Sequence, residues 1–390
     1  MMERDYWLGF SAFSGIGPMK FKKLLNKFGS AKDAWSAKQT LIEKVLGERL
    51  GAKFDEFRSK FSIADYVNKL KKKNVSFIIL TDKEYPELLK KIRNPPFVLY
   101  VKGNIDILSS SSEERSDESR SINIDSSRLT TFARTINHPT IAVVGTRRTT
   151  SYGREVTKIL TQDLVLAGFT IVSGLAMGID AISHKTAIEN GGKTIAVLGC
   201  GVDCCSPEEN LALYNSIIQK GSCIISEYPL SQIPTKWSFP ARNRIIAGLS
   251  MGVLVTEGAE DSGSLITADY ARKFGRPVFA VPGPITSSMS KGPYKLIQKG
   301  ARLVTKAEDI LEELGVQEKS IKGGKSIKSI KGGSPEENLI LEILQNEPFT
   351  FDELVRKTGF DSSKTGSILS LMEIKGLVKG LESGQFSIAS

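Results

Sequence analysis

Four short stretches of this chain gather residue types that hold phosphate or stack on a base. The first is Gly145-Thr146-Arg147-Arg148, two arginines after a glycine turn. Guanidinium is planar and forks onto paired phosphate oxygens. The second, Ser173-Gly174-Leu175-Ala176-Met177-Gly178-Ile179-Asp180, offers hydroxyl and amide donors just before a helix. The third runs from Pro234 to Arg244 and interleaves Lys236, Arg242, Asn243 and Arg244 with Trp237 and Phe239. Lysine beside an aromatic suits single-stranded nucleic acid, because the cation meets the backbone and the ring stacks on a base. The fourth, Glu257 to Ala268, opens a helix at Ser262-Gly263-Ser264, where free N–H groups and the helix dipole favour an anion.

Each stretch also has a plainer reading. Adjacent arginines are often surface charge. A carboxylate such as Asp180 at a helix start is commonly a cap, and His184, one turn on, would then be a structural hydrogen-bond partner. Trp237 and Phe239 could be core anchors, with Arg242 or Arg244 paired to Glu227 or Glu257. For the two arginines we favour pairing; for Lys236 and Phe239 we favour binding.

Other chemistries find little support. The fourth stretch is neither G-x-G-x-x-G nor the Walker loop with its lysine, which argues against ATP hydrolysis. Cys200, Cys204, Cys205 and Cys223 lack zinc-site spacing and read as small buried hydrophobes in a reducing compartment. Two histidines, His138 and His184, leave no basis for a His-built metal site or triad. We assign no catalytic residue, metal or cofactor.

Something must bring the four stretches together. Ile141–Val144 and Thr170–Val172 are short apolar runs without alternation, the mark of strands buried on both faces of a parallel sheet. With the helical segment between them they form a βαβ unit. Strands are expected at 141–145, 170–173, 193–199, 222–227, 252–257, 277–281 and 301–304. Helices are expected at 152–167, 179–190, 208–220, 241–249, 264–275, 293–299 and 307–314. This alternation predicts a doubly wound α/β sheet over 139–315, with all four stretches at its carboxyl edge, where such sheets bind ligands.

The flanks read differently. Residues 1–70 form a helical domain in which Gly15 and Gly17 turn a hairpin and Pro18 opens the next helix. Its Lys20, Lys22, Lys23 and Lys27 resemble a helix-hairpin-helix contact to a DNA backbone, or else simply solvate a helix face. Residues 71–106 are a linking segment packed against the region C-terminal to it. Ser-rich 107–138 and the Lys-Ser-Ile-Lys-Gly-Gly theme of 316–333 read as a flexible insertion and a basic linker. Residues 334–390 predict three helices and a hairpin, a winged helix, whose third helix has a core of Ile368, Leu369, Leu371 and Met372. That helix offers Lys364 and Lys375 but no arginine to fork onto guanine, so a protein contact competes with DNA reading.

Lys and Arg number 53 against 43 Asp and Glu, a formal charge of +10. That fits a polyanionic partner or a solvated surface alike. No apolar run approaches the ~20 residues that cross a bilayer. With no signal-like N-terminus, a cytoplasmic protein without membrane contact is expected.

At this point the residues resemble a known family. VVGTRRTTSYG, IVSGLAMGIDAISHKTAIENGGKTIAVLGCGVD, ISEYPL, FPARNRIIAGLS, SGSLITADYARKFGRPVFAVPG and LIQKGARLV are similar, in order, to the core of the DNA-processing protein A (DprA/Smf) family. The resemblance implies an extended Rossmann-like core, flanked by a helix-hairpin-helix or SAM-like helical domain and a winged helix. It implies a homodimer that binds single-stranded DNA and loads it onto a RecA-type recombinase during natural transformation, without enzymatic turnover. By motif, Arg147 and Arg148 would hold phosphates, Lys236 the backbone, and Phe239 a base. Ser173, Gly174, Ser262, Gly263 and Ser264 would form the cradle, supported by Gly145, Asp180, Arg242, Asn243, Arg244 and Glu257. Met177 stands where the family commonly has arginine, Ser206 where it has tyrosine, and Tyr294 where it has asparagine. The rival reading is a nucleotide-processing enzyme of related fold, like the phosphoribohydrolases. Their P-G-G-x-G-T-x-x-E loop is replaced here by Glu260-Asp261-Ser262-Gly263-Ser264.

Overall fold

The computed structural model describes residues 1–108, 139–316, 333–344, 348–380 and 384–388. They divide into two compact units, Met1–Lys319 and Ser320–Ser390. Nearly all of the expected Ser-rich insertion and basic linker, residues 109–138 and 317–332, lies outside the described residues.

In the first unit nine strands form one sheet: β1 (Ser76–Ile79), β2 (Val98–Gly103), β3 (Thr140–Val144), β4 (Thr170–Ser173), β5 (Thr194–Val197), β6 (Cys223–Ser226), β7 (Val253–Val255), β8 (Val278–Ala280) and β9 (Arg302–Leu303). Their spatial order is β1-β2-β6-β5-β4-β3-β7-β8-β9. From β6 to β9 every neighbour is parallel. The chain starts this region at β3, winds outward to β6, then crosses to the other side of β3 for β7 to β9. The expected doubly wound sheet is therefore present, with its switch point between β3 and β7. All residues of β3 to β8 are buried, which is why these runs lack alternation. Arg302 and Leu303 of β9 are exposed, since that strand ends the sheet.

β1 and β2, expected only as part of a linking segment, extend the sheet antiparallel beyond β6. They connect it to six helices spanning Glu3 to Lys72. Phe10, Phe21, Leu24 and Phe54 of these helices share one core with Phe97, Val98 and Tyr100, and Phe21 stacks on Phe97 at 4.2 Å between centroids. Tyr66 Oη accepts from Leu230 N at 2.9 Å. The helical lobe thereby braces the loop that leads to Lys236. Ile107 and Leu108, the first residues of the expected insertion, are buried on a short helical turn because two large aliphatics suffice to hold it against the sheet.

One helix of the core starts three residues early. The helix expected at 241–249 begins at Ser238. Pro240 sits in its first turn, where a helix has no use for the missing N–H.

The second unit has helices Pro335–Ile343, Phe351–Thr358 and Ser362–Ile374 and a small antiparallel sheet. Its strands are β10 (Phe349–Thr350), β11 (Val378–Gly380) and β12 (Gln385–Ile388), in the order β10-β12-β11. This is a winged helix. Leu369 and Met372, three apart, are buried as expected, but Leu371 is 51% exposed. Two residues along a helix turn about 200°, which carries Leu371 away from the core. Lys364 pairs with Glu336 at 3.4 Å and Lys375 with Glu337 at 2.6 Å. Residues 333–390 hold 9 Asp and Glu against 5 Lys and Arg. Both lysines of the third helix are thus paired with glutamates of the Pro335–Ile343 helix. Among the described residues no helix is long and apolar enough to cross a membrane.

Candidate nucleic-acid interface

A cleft of about 710 Å³ opens at the β3–β7 switch point. Its walls come from the loops after β3 (Gly145–Arg148), β4 (Ala176, Asp180), β6 (Lys236, Phe239, Pro240, Arg242, Asn243) and β7 (Ala259, Asp261–Ser264), with Met289 after β8. The four stretches singled out by residue type therefore meet.

The loop after β3 is held from below. Thr146 N donates to Glu257 O at 2.8 Å, and Ile179 N donates to Thr146 O at 3.1 Å. A Cβ on Gly145 would approach Ile179 to 2.5 Å, so only glycine allows this packing. The buried Glu257 carboxylate accepts from Thr150 N (3.0 Å) and Thr150 Oγ1 (2.6 Å). That hydroxyl in turn accepts from Gly153 N and caps the Ser151–Leu166 helix. Pinned at both ends, the loop presents Arg147 and Arg148 to solvent. Among the described residues neither has an ion pair, nor has Lys236.

The loop after β6 presents rings to those charges. Thr235 and Ser238 bond reciprocally, Thr235 N to Ser238 Oγ at 3.0 Å and Ser238 N to Thr235 Oγ1 at 3.2 Å. This turn buries Ser238 and projects its neighbours. The Arg147 guanidinium lies 5.5 Å from the Phe239 centroid, and Lys236 Nζ lies 5.2 Å from that of Trp237. Trp237 is 73% exposed, so it is no core anchor. The signal was present in its basic neighbours, but only the turn geometry decides which ring turns out.

The supporting residues lie deeper. Arg242 is buried, and its Nη1 donates to Gly174 O at 2.6 Å and to Val197 O, tying together the ends of β4 and β5. Asp180 accepts from Gly174 N (3.1 Å) and Ala176 N (3.3 Å). Burial raises its pKa, opposed chiefly by the charge of Arg242. Arg244 forms the ion pair with Glu227 that the plainer reading anticipates. Asn243 Nδ2 donates to Gly263 O at 3.2 Å and steadies the fourth loop. There Ser262 Oγ bonds Ser264 Oγ at 2.8 Å at the start of the Ser264–Lys273 helix.

Two expected cradle residues point elsewhere. Ser173 is buried and its hydroxyl donates to Val143 O at 2.7 Å. Gly174 N already serves Asp180. As the last residue of β4 and the first beyond it, they close the fold under the cleft. Gly174 does border a smaller pocket of about 110 Å³ beside Arg147 and Phe239, which Met177 and Ser206 also line. Residue types gave no sign of Met289, which the β8 loop supplies; Asp261, within the fourth stretch but assigned no role there, puts a carboxylate on the cleft wall.

His184 does not pair with Asp180. Thr194 Oγ1 donates to Ile171 O at 2.7 Å, so at 2.6 Å it accepts from His184 Nδ1–H. His184 Nε2 is buried with no partner. Burial, then the nearby Arg242 charge, lowers the pKa to about 3. Below the unfolded value of about 6.5 the unfolded chain takes a proton that the folded chain refuses. Stability is therefore expected to fall as pH drops from about 6.5 toward 3, by about 2 kcal/mol at pH 5. Urea unfolding at pH 7 and pH 5 should show this loss in the wild type and its absence in His184→Asn. Equal losses in both would exclude His184 as the cause.

A family model for DNA recombination-mediator protein A matches residues 76–113 and 132–315, and one for the DprA winged helix domain matches 328–384. The chain is 34% identical to Protein Smf of Synechocystis over 96% of each chain. It is 38% identical to DNA processing protein DprA of Bacillus subtilis, over 77% of this chain and 92% of that one. The X-ray structure of DNA processing protein A from Streptococcus pneumoniae aligns with a TM-score of 0.63 at 35% identity, covering 80% of this chain and 97% of that one. Among the described residues no cluster of His, Cys, Asp and Glu could hold a metal. With one family model matched over its sheet and another over its winged helix, the chain belongs to the DNA recombination-mediator protein A (DprA/Smf) family.

Proposed function

We propose that the cleft binds a run of single-stranded DNA and that the protein passes this strand to a RecA-type recombinase. The observation that carries the reading is the placement of Arg147 over Phe239, 5.5 Å from the ring centroid, at a cleft that Lys236 also lines. A phosphate-forking cation and a stacking face are thus offered side by side, the combination an unpaired strand needs. Arg148 adds charge, Trp237 an exposed ring beside Lys236 just outside the cleft, and Ser262, Gly263 and Ser264 a helix start. Duplex bases are already stacked on each other and would leave both rings idle. Gly145, Asp180, Arg242, Asn243, Arg244 and Glu257 act as supports, and Ser173 and Gly174 lie beneath. A homodimer belongs to the same reading: among the described residues no further strand pairs with β9, and Leu303 there is 45% exposed.

Gly263 supplies the test. Its φ of −59° and ψ of −20° suit any residue, and a Cβ there meets open space. The fold does not require glycine, and negative charge at a helix start is tolerated or favoured. Gly263→Asp is expected to keep the melting temperature while lowering oligo-dT affinity at least about tenfold, by repulsion of phosphate. Phe239→Ala should lose about 1–3 kcal/mol of binding. Fluorescence anisotropy would read both; unchanged affinity in both variants would reject the cleft as the binding site.

A further inference from the structure

Positive charge is not concentrated at the cleft. Residues 139–316, which build it, hold 18 Lys and Arg against 16 Asp and Glu, whereas residues 1–75 hold 16 against 8. Most of the formal +10 thus belongs to the helical lobe. On the Pro18–Phe28 helix, Phe21 and Leu24 face the core. Lys20, Lys23 and Lys27, spaced i, i+3 and i+7, form one exposed stripe beside them. At the end of that stripe Lys20 shares a concavity of about 370 Å³ with Gly47, Arg49 and Lys53. A Cβ on Gly15 would come within 2.6 Å of Leu50, so two helical hairpins, turning at Gly15–Gly17 and at Gly47, meet there.

Among the described residues Lys23, Lys27, Arg49 and Lys53 enter no ion pair, and Lys20 donates only to Gly15 O at 3.2 Å. Glu48 is the one carboxylate lining the concavity among the described residues. The lobe's large exposed apolar side chains are Met1, Met2, Met19 and Leu41, none of them aromatic. Cations without stacking faces match the regular phosphate array of a duplex, whose bases are hidden. We propose that Lys20, Lys23, Lys27, Arg49 and Lys53 form a second, sequence-independent surface for the backbone of duplex DNA. This surface is separate from the cleft and does not depend on what the cleft binds.

The test uses the full chain with these five residues changed to glutamine, and anisotropy with a 20-base-pair duplex and with oligo-dT. Duplex affinity is expected to fall at least about tenfold, and its log–log salt slope to become shallower by about 0.9 for each phosphate no longer neutralised. Oligo-dT binding should not change. Because all five side chains are exposed, the melting temperature should hold; Lys23→Glu with Lys27→Glu is the smaller variant should it not. A wild-type chain that ignores duplex, a variant that binds it as before, or equal losses on both DNAs would each overturn the proposal. Arg147→Ala with Lys236→Ala, tested on the same two DNAs, separates failure of the cleft reading from failure of this one.

Discussion

Replacing Arg147 and Lys236 together by alanine is expected to lower affinity for an unpaired DNA strand at least about 100-fold. A hydrogen bond to a charged group contributes ~1.5–3 kcal/mol, and each tenfold in affinity is about 1.4 kcal/mol, so removing two phosphate contacts reaches that figure. Two contacts should also make the log–log salt slope shallower by about 1.4. The loss should be alike for all base sequences, because both side chains would meet backbone. Arg147→Lys should recover only part, since an ammonium keeps the charge but not the planar fork or its stacking on Phe239. The fold should be unaffected, because the loop is held by the backbone of Thr146 and by Glu257 and not by either side chain. Titrations of oligo-dT at several salt concentrations would decide the matter; a tight-binding double variant with an unaltered slope would refute the assignment of both residues.

Arg242→Leu should damage the fold more than any other change in the cleft. Its guanidinium holds the ends of β4 and β5 through Gly174 O and Val197 O, and it supplies the chief charge opposing the burial of Asp180. Removing it leaves a carboxylate buried among backbone groups without a compensating cation, a loss of roughly 3–5 kcal/mol. Adding Asp180→Asn should restore part of the stability by removing the stranded charge. Guanidinium unfolding of wild type, Arg242→Leu, Asp180→Asn and the double variant would show it. A double variant as unstable as the sum of the two single ones would mean that the residues do not act together.

These two arginines show where reading the residues succeeds and stops. Arg147 is expected to hold phosphate and Arg242 to be paired, yet their residue type is the same. Arg147 follows a strand that ends in a tight glycine turn, so its side chain emerges from the sheet edge into solvent. Arg242 lies one turn into the Ser238–Leu249 helix, on the face that packs against the sheet, and is enclosed. The same logic separates Trp237, which a reciprocal threonine–serine turn pushes outward, from Ser238, which that turn buries.

The amino-acid sequence by itself determined the doubly wound sheet, because strands buried on both faces must be uninterrupted apolar runs and their crossovers must be helices. It also determined that phosphate-seeking residues cluster at strand ends, since glycine, hydroxyl and basic residues follow those runs directly. Tertiary structure decided which of them remain unpaired. Whether Ser173 donates outward or to Val143, or Arg244 meets a ligand or Glu227, depends on what a distant segment places within about 3 Å. It also decided that β1 and β2 join the sheet and connect it to the helical lobe, because antiparallel edge pairing joins segments far apart in the chain.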